Sequence, residues 1–174
     1  EFYDKSIELD SENDGYFYNR GQFYEEEGNY EMALKDFKKA RELNPDDSKY
    51  YFNEAYSYFG LAVFADESNF AFEQYENSLT TYLEYIEQFG QDGVVYNNMA
   101  LIYKNNIQDY EKALQYFDKS IEVYPDNALV HSNKAELLHR LGKVEEAIEF
   151  YNKSVELENE NDYYYFSRGE FYER

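Results

Sequence analysis

The sequence predicts an all-α fold, a solenoid built from repeated pairs of antiparallel helices. A trio of small, aromatic and small residues, spaced by four and then three positions, occurs three times within the 174 residues. The chain contains only two Pro and eight Gly, which favours long regular elements over tight turns. Repetition of this kind is typical of solenoids, because each unit buries its apolar face only by stacking on the next. Such an architecture indicates binding rather than catalysis.

Each trio lies on one face of a helix, because residues three and four positions apart are neighbours on a helix surface. The trios mark the second helix of each pair. They are Ala33, Phe37 and Ala40; Ala113, Phe117 and Ser120; Ala147, Tyr151 and Ser154; and a looser copy at Ser78, Tyr82 and Tyr85.

The charge of the chain limits the kind of partner that it can bind. It has 37 acidic against 16 basic residues and a net charge of -21. We therefore expect neither nucleic acid nor an anionic membrane as partner, because neutralising phosphates requires Lys and Arg. The excess of acidic residues favours a basic partner; the alternative is that it only forms a solvated surface.

The absence of Cys excludes disulfides, thiol nucleophiles and Cys-based metal sites. No apolar run reaches the ~20 residues that are needed to span a bilayer.

Two segments of 34 residues, 14–47 and 128–161, align with each other along their whole length. Both have a large, a small and a large residue, then a short loop, then Ala, an aromatic and a small residue, and the first segment ends this pattern with Pro where the second has Asn159. In the first segment these positions are Phe17, Gly21, Tyr24, Ala33, Phe37, Ala40 and Pro45. This pattern resembles the tetratricopeptide repeat (TPR), and the resemblance implies a right-handed superhelix of helix pairs.

The resemblance divides the chain into repeats. We expect complete repeats at residues 14–47, 93–127 and 128–161. Residues 1–13 would be the C-terminal half of a preceding repeat, and residues 162–174 the first-helix part of a following one. The repeat at 93–127 resembles the others except that its loop, residues 105–109, is one residue longer.

The remaining segment, residues 48–92, is expected to form an elongated hairpin with 11 extra residues. About three helical turns would absorb them. The sequence predicts a first helix that extends to about Phe64, a cap at Asp66 or Ser68, and a second helix that runs to about Phe89 and stops near Gly90.

The resemblance also implies where a ligand lies. In TPR proteins, the side of each first helix that faces away from its partner helix lines a concave groove for extended peptides or partner helices. In this chain, one position on that side is Asn in all four repeats, and we call these four residues the Asn column. A ladder of amides can pair with a ligand backbone. The arrangement resembles the asparagine ladder in the repeat domain of O-linked N-acetylglucosamine transferases. The alternative is that these amides only cap neighbouring helices. The column is Asn19, Asn53, Asn98 and Asn133.

Four aromatic residues lie next to the Asn column and are expected to form a patch in the N-terminal half of the groove. Exposed aromatic rings there favour apolar or cationic ligand side chains. The alternative is that they pack against neighbouring helices. The four are Tyr18, Phe52, Tyr56 and Phe59.

Other sites are set aside. A carboxylate clamp, which some TPR domains use, would need more cations than Lys49, Lys104 and Arg140. Residues 10–15 imitate the start of a calcium-binding loop, but the twelfth position of that loop holds Gly21 instead of Glu. The two histidines are eight residues apart, which is not the spacing of a helical metal pair. With no catalytic motif either, we expect no enzyme activity, no metal and no cofactor.

The two ends of the chain repeat each other. Residues 1–26 and 149–174 are identical at 16 of 26 positions, which indicates duplication of a block of four repeats. We expect the chain to come from a longer array and its uncapped ends to associate head to tail. It shows no signal peptide but does not begin with Met, so the compartment is undetermined, with the cytoplasm weakly favoured.

These observations predict a non-enzymatic protein–protein interaction scaffold. Its concave groove would hold an extended or helical segment of a partner protein, and a basic partner fits the charge. The alternative is a structural spacer or a self-associating segment of a longer array.

Overall fold

The structure is a computed structural model that describes residues 2–158 and 169 of the chain. Over these residues the fold is all-α without strands, as the sequence predicts. The expected first-helix segment at 162–174 lies outside the described residues, apart from Gly169. The helices are α1 Phe2–Leu9, α2 Asp14–Glu26, α3 Tyr30–Leu43, α4 Ser48–Val63, α5 Ser68–Phe89, α6 Gly93–Ile102, α7 Tyr110–Val123, α8 Ala128–Arg140 and α9 Val144–Leu157.

The chain divides into two compact units, Glu1–Gly90 and Gln91–Arg174. In the first unit, α2 packs on α3, α3 on α4, and α4 on α5, while α1 packs on α2. The trio residues Ala33, Phe37 and Ala40 are completely buried. Gly21 is small because α3 approaches closely there: a Cβ atom at this position would lie 2.7 Å from the Phe37 ring.

In the second unit, α6 packs on α7, α7 on α8, and α8 on α9. Its trios form the core in the same way. One cluster contains Ala100, Ala113 and Phe117, and another contains Ala135, Ala147 and Tyr151.

Serine stands at three trio positions; the hydroxyl of Ser154 donates to the carbonyl of Tyr151 of its own helix at 2.8 Å, and at the other two positions the hydroxyl finds a backbone acceptor on the paired helix. Ser78 Oγ donates to the carbonyl of Ala55 at 2.7 Å, and Ser120 Oγ donates to the carbonyl of Gly93 at 2.6 Å. A buried hydroxyl without such a partner would destabilise the fold. The close approach of the two helices is therefore kept, with a hydrogen bond added.

Most helices begin at an Asn or Asp whose side chain accepts from a backbone N–H of the first turn, as is usual for N-caps. Helix α5 differs, and the expected cap at Asp66 or Ser68 is wrong. Glu67 stands at the cap position, and its side chain makes no capping hydrogen bond. The helix ends at Phe89, and Gly90 follows with φ 92°.

The extra residue after α6 is not in a longer loop, and that expectation is wrong too. Helix α6 continues into a π-helical turn, Tyr103–Ile107. A π turn closes its hydrogen bond one residue later than an α turn, so it absorbs a single insertion. Gln108 then takes a left-handed conformation with φ 62°, which Gly28 and Gly142 take in the equivalent loops.

Two arginines each join three consecutive helices of the first unit. Arg20 of α2 contacts Asp4 of α1 and Asp36 of α3, both at 2.7 Å. Arg41 of α3 contacts Glu54 of α4 at 3.1 Å and also Glu84 of α5. These ion pairs fix the helices that carry the candidate site.

Candidate partner-binding surface

The four Asn residues of the predicted column differ in their surroundings. In the first unit, Asn19 is exposed, whereas Asn53 is half-buried and donates from Nδ2 to the carbonyl of Lys49 at 2.7 Å. In the second unit, Asn98 and Asn133 are half-buried. Asn133 Nδ2 donates to Oδ1 of the buried Asn97 at 3.2 Å, which links α8 to α6. The structure thus pairs Asn133 of the column with Asn97, a residue outside the column.

Two of the four predicted aromatic residues, Tyr18 and Phe52, pack at the edge of the hydrophobic core. Tyr18 is half-buried, and its ring centroid lies 5.8 Å from that of Phe37 and 5.5 Å from that of Tyr50. Phe52 is half-buried and meets the ring of Tyr82 edge-on at 5.9 Å. This packing corresponds to the alternative that the sequence left open for them.

The other two aromatic residues lie together on α4. Tyr56 is 38% exposed, and its ring centroid is 6.2 Å from that of the half-buried Phe59. The ring of Tyr30, at the start of α3, meets Tyr56 edge-on at 6.5 Å. Tyr56 therefore presents an open ring beside a second aromatic residue from another helix.

Glu25 adds a carboxylate to this group, and the sequence did not single it out. Its Oε2 atom is buried and has no hydrogen-bond partner. Burial raises the pKa of Glu25, and the neighbouring charge of Glu26 raises it further. The pKa of Tyr56 is also raised, by burial first and then by Tyr30 and Glu25. Glu25 lies in the last turn of α2 and Tyr30 begins α3, and the turn between them is closed by a hydrogen bond from the N–H of Gly28 to the carbonyl of Glu25 at 2.9 Å, so the two residues are neighbours. The missed signal was periodicity, since Glu25 follows Tyr18 and Gln22 of the same face by seven and three residues.

A groove of ≈ 640 Å³, lined by both apolar and acidic residues, lies at Tyr30, where the α2–α3 loop meets the tip of the α4–α5 hairpin. Phe64 is 74% exposed and stacks on Tyr30 at 5.8 Å, and Phe70 is 44% exposed. Gly60 permits the arrangement, because a Cβ atom there would lie 2.3 Å from the Tyr30 ring.

The cations that a carboxylate clamp would use are engaged with acidic residues or a ring. Lys49 pairs with Asp47 at 2.6 Å, and the buried Lys104 pairs with Glu136. Arg140 lies 5.2 Å from the ring centroid of Tyr110.

A second groove, of ≈ 850 Å³, lies around α3, and several cations line it. Two of these cations, Arg20 and Arg41, are held by the carboxylates described above.

The other motifs of the sequence have structural roles. Asn13, in the stretch that imitates a calcium loop, accepts from the N–H of Gly15 and caps α2. His131 Nε2 lies 2.8 Å from the carbonyl oxygen of Pro125. Among the residues that the structure describes, no group of three or more His, Asp or Glu side chains is arranged to hold a metal ion. No described helix is long and apolar enough to cross a membrane.

The sequence matches the tetratricopeptide repeat family over residues 16–47 and again over residues 91–160, together more than half of the chain. The chain is a tetratricopeptide repeat protein. No curated protein sequence matches it significantly.

Solved TPR structures share the fold. A thermophilic TPR protein of Thermus thermophilus, TTC0263, superposes with a TM-score of 0.81 at 16% identity, over 99% of this chain and 88% of that one. MamA gives a TM-score of 0.74 at 20% identity, over 90% and 85% of the two chains. Yeast Tom70 gives 0.71 at 26% identity, over 98% of this chain but only 34% of its own.

The family identifies the general role of the chain. TPR proteins are protein-interaction scaffolds and are generally not enzymes, so this chain is an interaction scaffold whose ligands are other proteins.

Proposed function

We propose that this TPR scaffold binds a basic, extended or helical segment of a partner protein on the exposed face of its first helices. These helices are α2 and α4 in the first unit and α6 and α8 in the second. The observation that carries the proposal is the exposed Tyr56 ring on the first helix α4 in a chain of net charge -21. Such a surface attracts cationic side chains and gives them an aromatic contact.

The amides of the column supply contacts to the backbone of the segment. An Asn side chain has two N–H donors and an acceptor oxygen. The single bonds that Asn53 and Asn133 make within the chain therefore leave them capacity to bind a ligand. Contacts of this type fix an extended segment without selecting its side chains, so selectivity comes from the charged and aromatic residues nearby.

Selection of random 12-residue peptides displayed on phage tests this proposal directly. The immobilised protein is expected to enrich peptides rich in Lys and Arg, because the acidic field favours cationic segments. Elution by raised salt should release them, since screening weakens exposed charge interactions. Failure to enrich any sequence, or enrichment of acidic peptides, would contradict the proposal.

Self-association is a second candidate, and helix α1 carries it. Phe2 is 90% exposed and Leu9 is 78% exposed, and no residue of α1 is buried. A helix with an uncovered apolar side can pack against another copy. Light scattering over a wide concentration range tests this: Phe2→Ser/Leu9→Ser should reduce any oligomer. A monodisperse wild-type monomer at every concentration would exclude association through α1.

A further inference from the structure

The side chain of Glu25 carries a buried oxygen that lacks a hydrogen-bond partner. Buried side-chain oxygens in folded proteins are nearly always hydrogen-bonded, and each exception calls for an explanation. Oε2 of Glu25 is such an exception. Leaving a buried carboxylate oxygen unpaired is unfavourable, and a cation is the partner that compensates it best.

Two aromatic residues on the following helices, α3 and α4, suit the same kind of partner. Tyr30 and Tyr56 meet edge-on at 6.5 Å, and Tyr30 is held from its other side by the stacked ring of Phe64. The close approach at Gly60 fixes Tyr30 in this position. Aromatic faces attract ammonium and guanidinium groups, and they do so more strongly where water is excluded.

Other rings of the chain already hold cations from the chain itself. Lys38 lies 4.8 Å from the ring centroid of Tyr58, and Arg41 lies 3.9 Å from that of Tyr51. Within the described part of the chain, no Lys or Arg lies over Tyr30 or Tyr56 in this way. Of the two rings, that of Tyr56 is 38% exposed and is thus open to a cation from outside.

We propose that Glu25, Tyr30 and Tyr56 form a subsite for one lysine or arginine side chain of the bound partner segment. The inference rests on the proposed function and names a specific contact for it. The ammonium or guanidinium group donates to the carboxylate of Glu25, and the aliphatic part of the side chain lies along the ring of Tyr56. Glu26, which is exposed on the same helix, adds negative charge without forming the site.

Small cations test the subsite without a peptide. The probes are n-butylammonium and ethylguanidinium, followed by 1H–15N NMR of the folded protein, with n-butanol as the neutral analogue. We expect saturable shifts of the amides near Glu25 and Tyr56 for both cations and none for n-butanol. Glu25→Gln should weaken cation binding by about tenfold or more, because hydrogen bonds to charged groups are among the strongest in proteins. The matched control Glu26→Gln should leave binding within about twofold, since an exposed charge contributes little.

The outcomes separate the subsite from the general function. Equal cation binding by Glu25→Gln and by wild type, or no saturable shift in wild type, overturns the subsite. Basic peptides selected on the wild-type protein provide the second measurement. If they bind Glu25→Gln as well as they bind wild type, the subsite is overturned while the scaffold function stands. If the small cations bind at Glu25 but no basic peptide does, the subsite stands and the proposed function fails.

Discussion

Arg20 donates from Nε and Nη2 to the two carboxylate oxygens of Asp36, each at 2.7 Å. Asp36 is only 1% exposed, so this bidentate pair connects α2 and α3 inside the first unit. The hydrogen bonds to Asp36 raise the pKa of Arg20 above its ordinary value. Arg20 also reaches Asp4 of α1, so one guanidinium holds three helices together.

Replacement of Arg20 by Met should destabilise the protein by about 3–5 kcal/mol, because it leaves the buried carboxylate of Asp36 uncompensated. Urea unfolding measures the loss. Lys5→Ala is the control: it removes the exposed pair with Glu8 and should cost less than about 1 kcal/mol. Arg20→Met/Asp36→Leu should recover most of the stability, because an apolar pair can replace a buried ion pair. An Arg20→Met variant as stable as Lys5→Ala would contradict the assignment.

Two buried serines should respond to alanine in opposite directions. Ser57 is completely buried, and its Oγ has no hydrogen-bond partner. Ser57→Ala should therefore stabilise the protein, by about 1 kcal/mol, because it removes an unsatisfied polar group. Ser78→Ala should destabilise it by about 0.5–1.5 kcal/mol, because Ser78 Oγ donates to Ala55. Thermal unfolding of the two variants compares them, and effects of the same sign would contradict this interpretation.

The left-handed residue after the π-helical turn offers a third prediction. Gln108 has φ 62°, a conformation that costs a residue with a side chain about 1 kcal/mol. Gln108→Gly should therefore increase the free energy of unfolding by up to about 1 kcal/mol. Gly28→Ala, at φ 74°, should decrease it by a similar amount. A destabilised Gln108→Gly variant would show that the side chain makes a contact that outweighs the strain.

Glu25 should make stability fall as the pH rises. Burial raises its pKa above the ordinary value of 4.5, so the folded chain binds this proton more tightly than the unfolded chain. Stability is lost from about pH 4.5 upwards through the raised folded pKa. Glu25→Gln removes this loss, so the variant should gain stability relative to wild type across that range.

Asp14 gives the comparison of opposite sign. Hydrogen bonds from Tyr50 and then Asn44 lower the pKa of Asp14 below its ordinary value of 3.8. Its stabilisation is present above that value and is lost as the pH falls through the lowered folded pKa. Asp14→Asn should therefore be less stable than wild type at neutral pH, and the difference should vanish in acid. Urea unfolding from about pH 8 down to about pH 2, below the lowered pKa of Asp14, measures both variants. A Glu25→Gln difference that does not change with pH would contradict the buried position of the carboxylate.

The fold class could be predicted from the sequence because the trios report directly on helix packing. Ala33, Phe37 and Ala40 are buried as their spacing requires, and Ser120 could replace Ala because a backbone acceptor lies within reach. The π-helical turn at Tyr103–Ile107 could not be predicted in this way. A loop and a helical bulge absorb one inserted residue equally well, and the choice depends on tertiary packing.

The candidate site was less predictable than the fold. Sequence periodicity placed Tyr18 and Tyr56 on the same faces of their helices but did not distinguish an exposed ring from a packed one. Tyr18 packs against Phe37 because α3 approaches α2 closely at Gly21. Glu25 was overlooked because it stands in a run of three glutamates, and the sequence does not show which of their carboxylates the tertiary fold buries.

The most direct test of the proposed function is the affinity of a selected basic peptide for two matched double variants, measured by fluorescence anisotropy. Asn53→Ala/Asn98→Ala removes amides from the first-helix face. Asn69→Ala/Gln115→Ala removes exposed amides from the second helices α5 and α7. The first variant should bind about tenfold more weakly than wild type or worse, since each lost hydrogen bond is worth about 0.5–1.5 kcal/mol. The second should bind as wild type does. Equal affinities for the two variants, or a larger loss in the second, would contradict binding on the first-helix face.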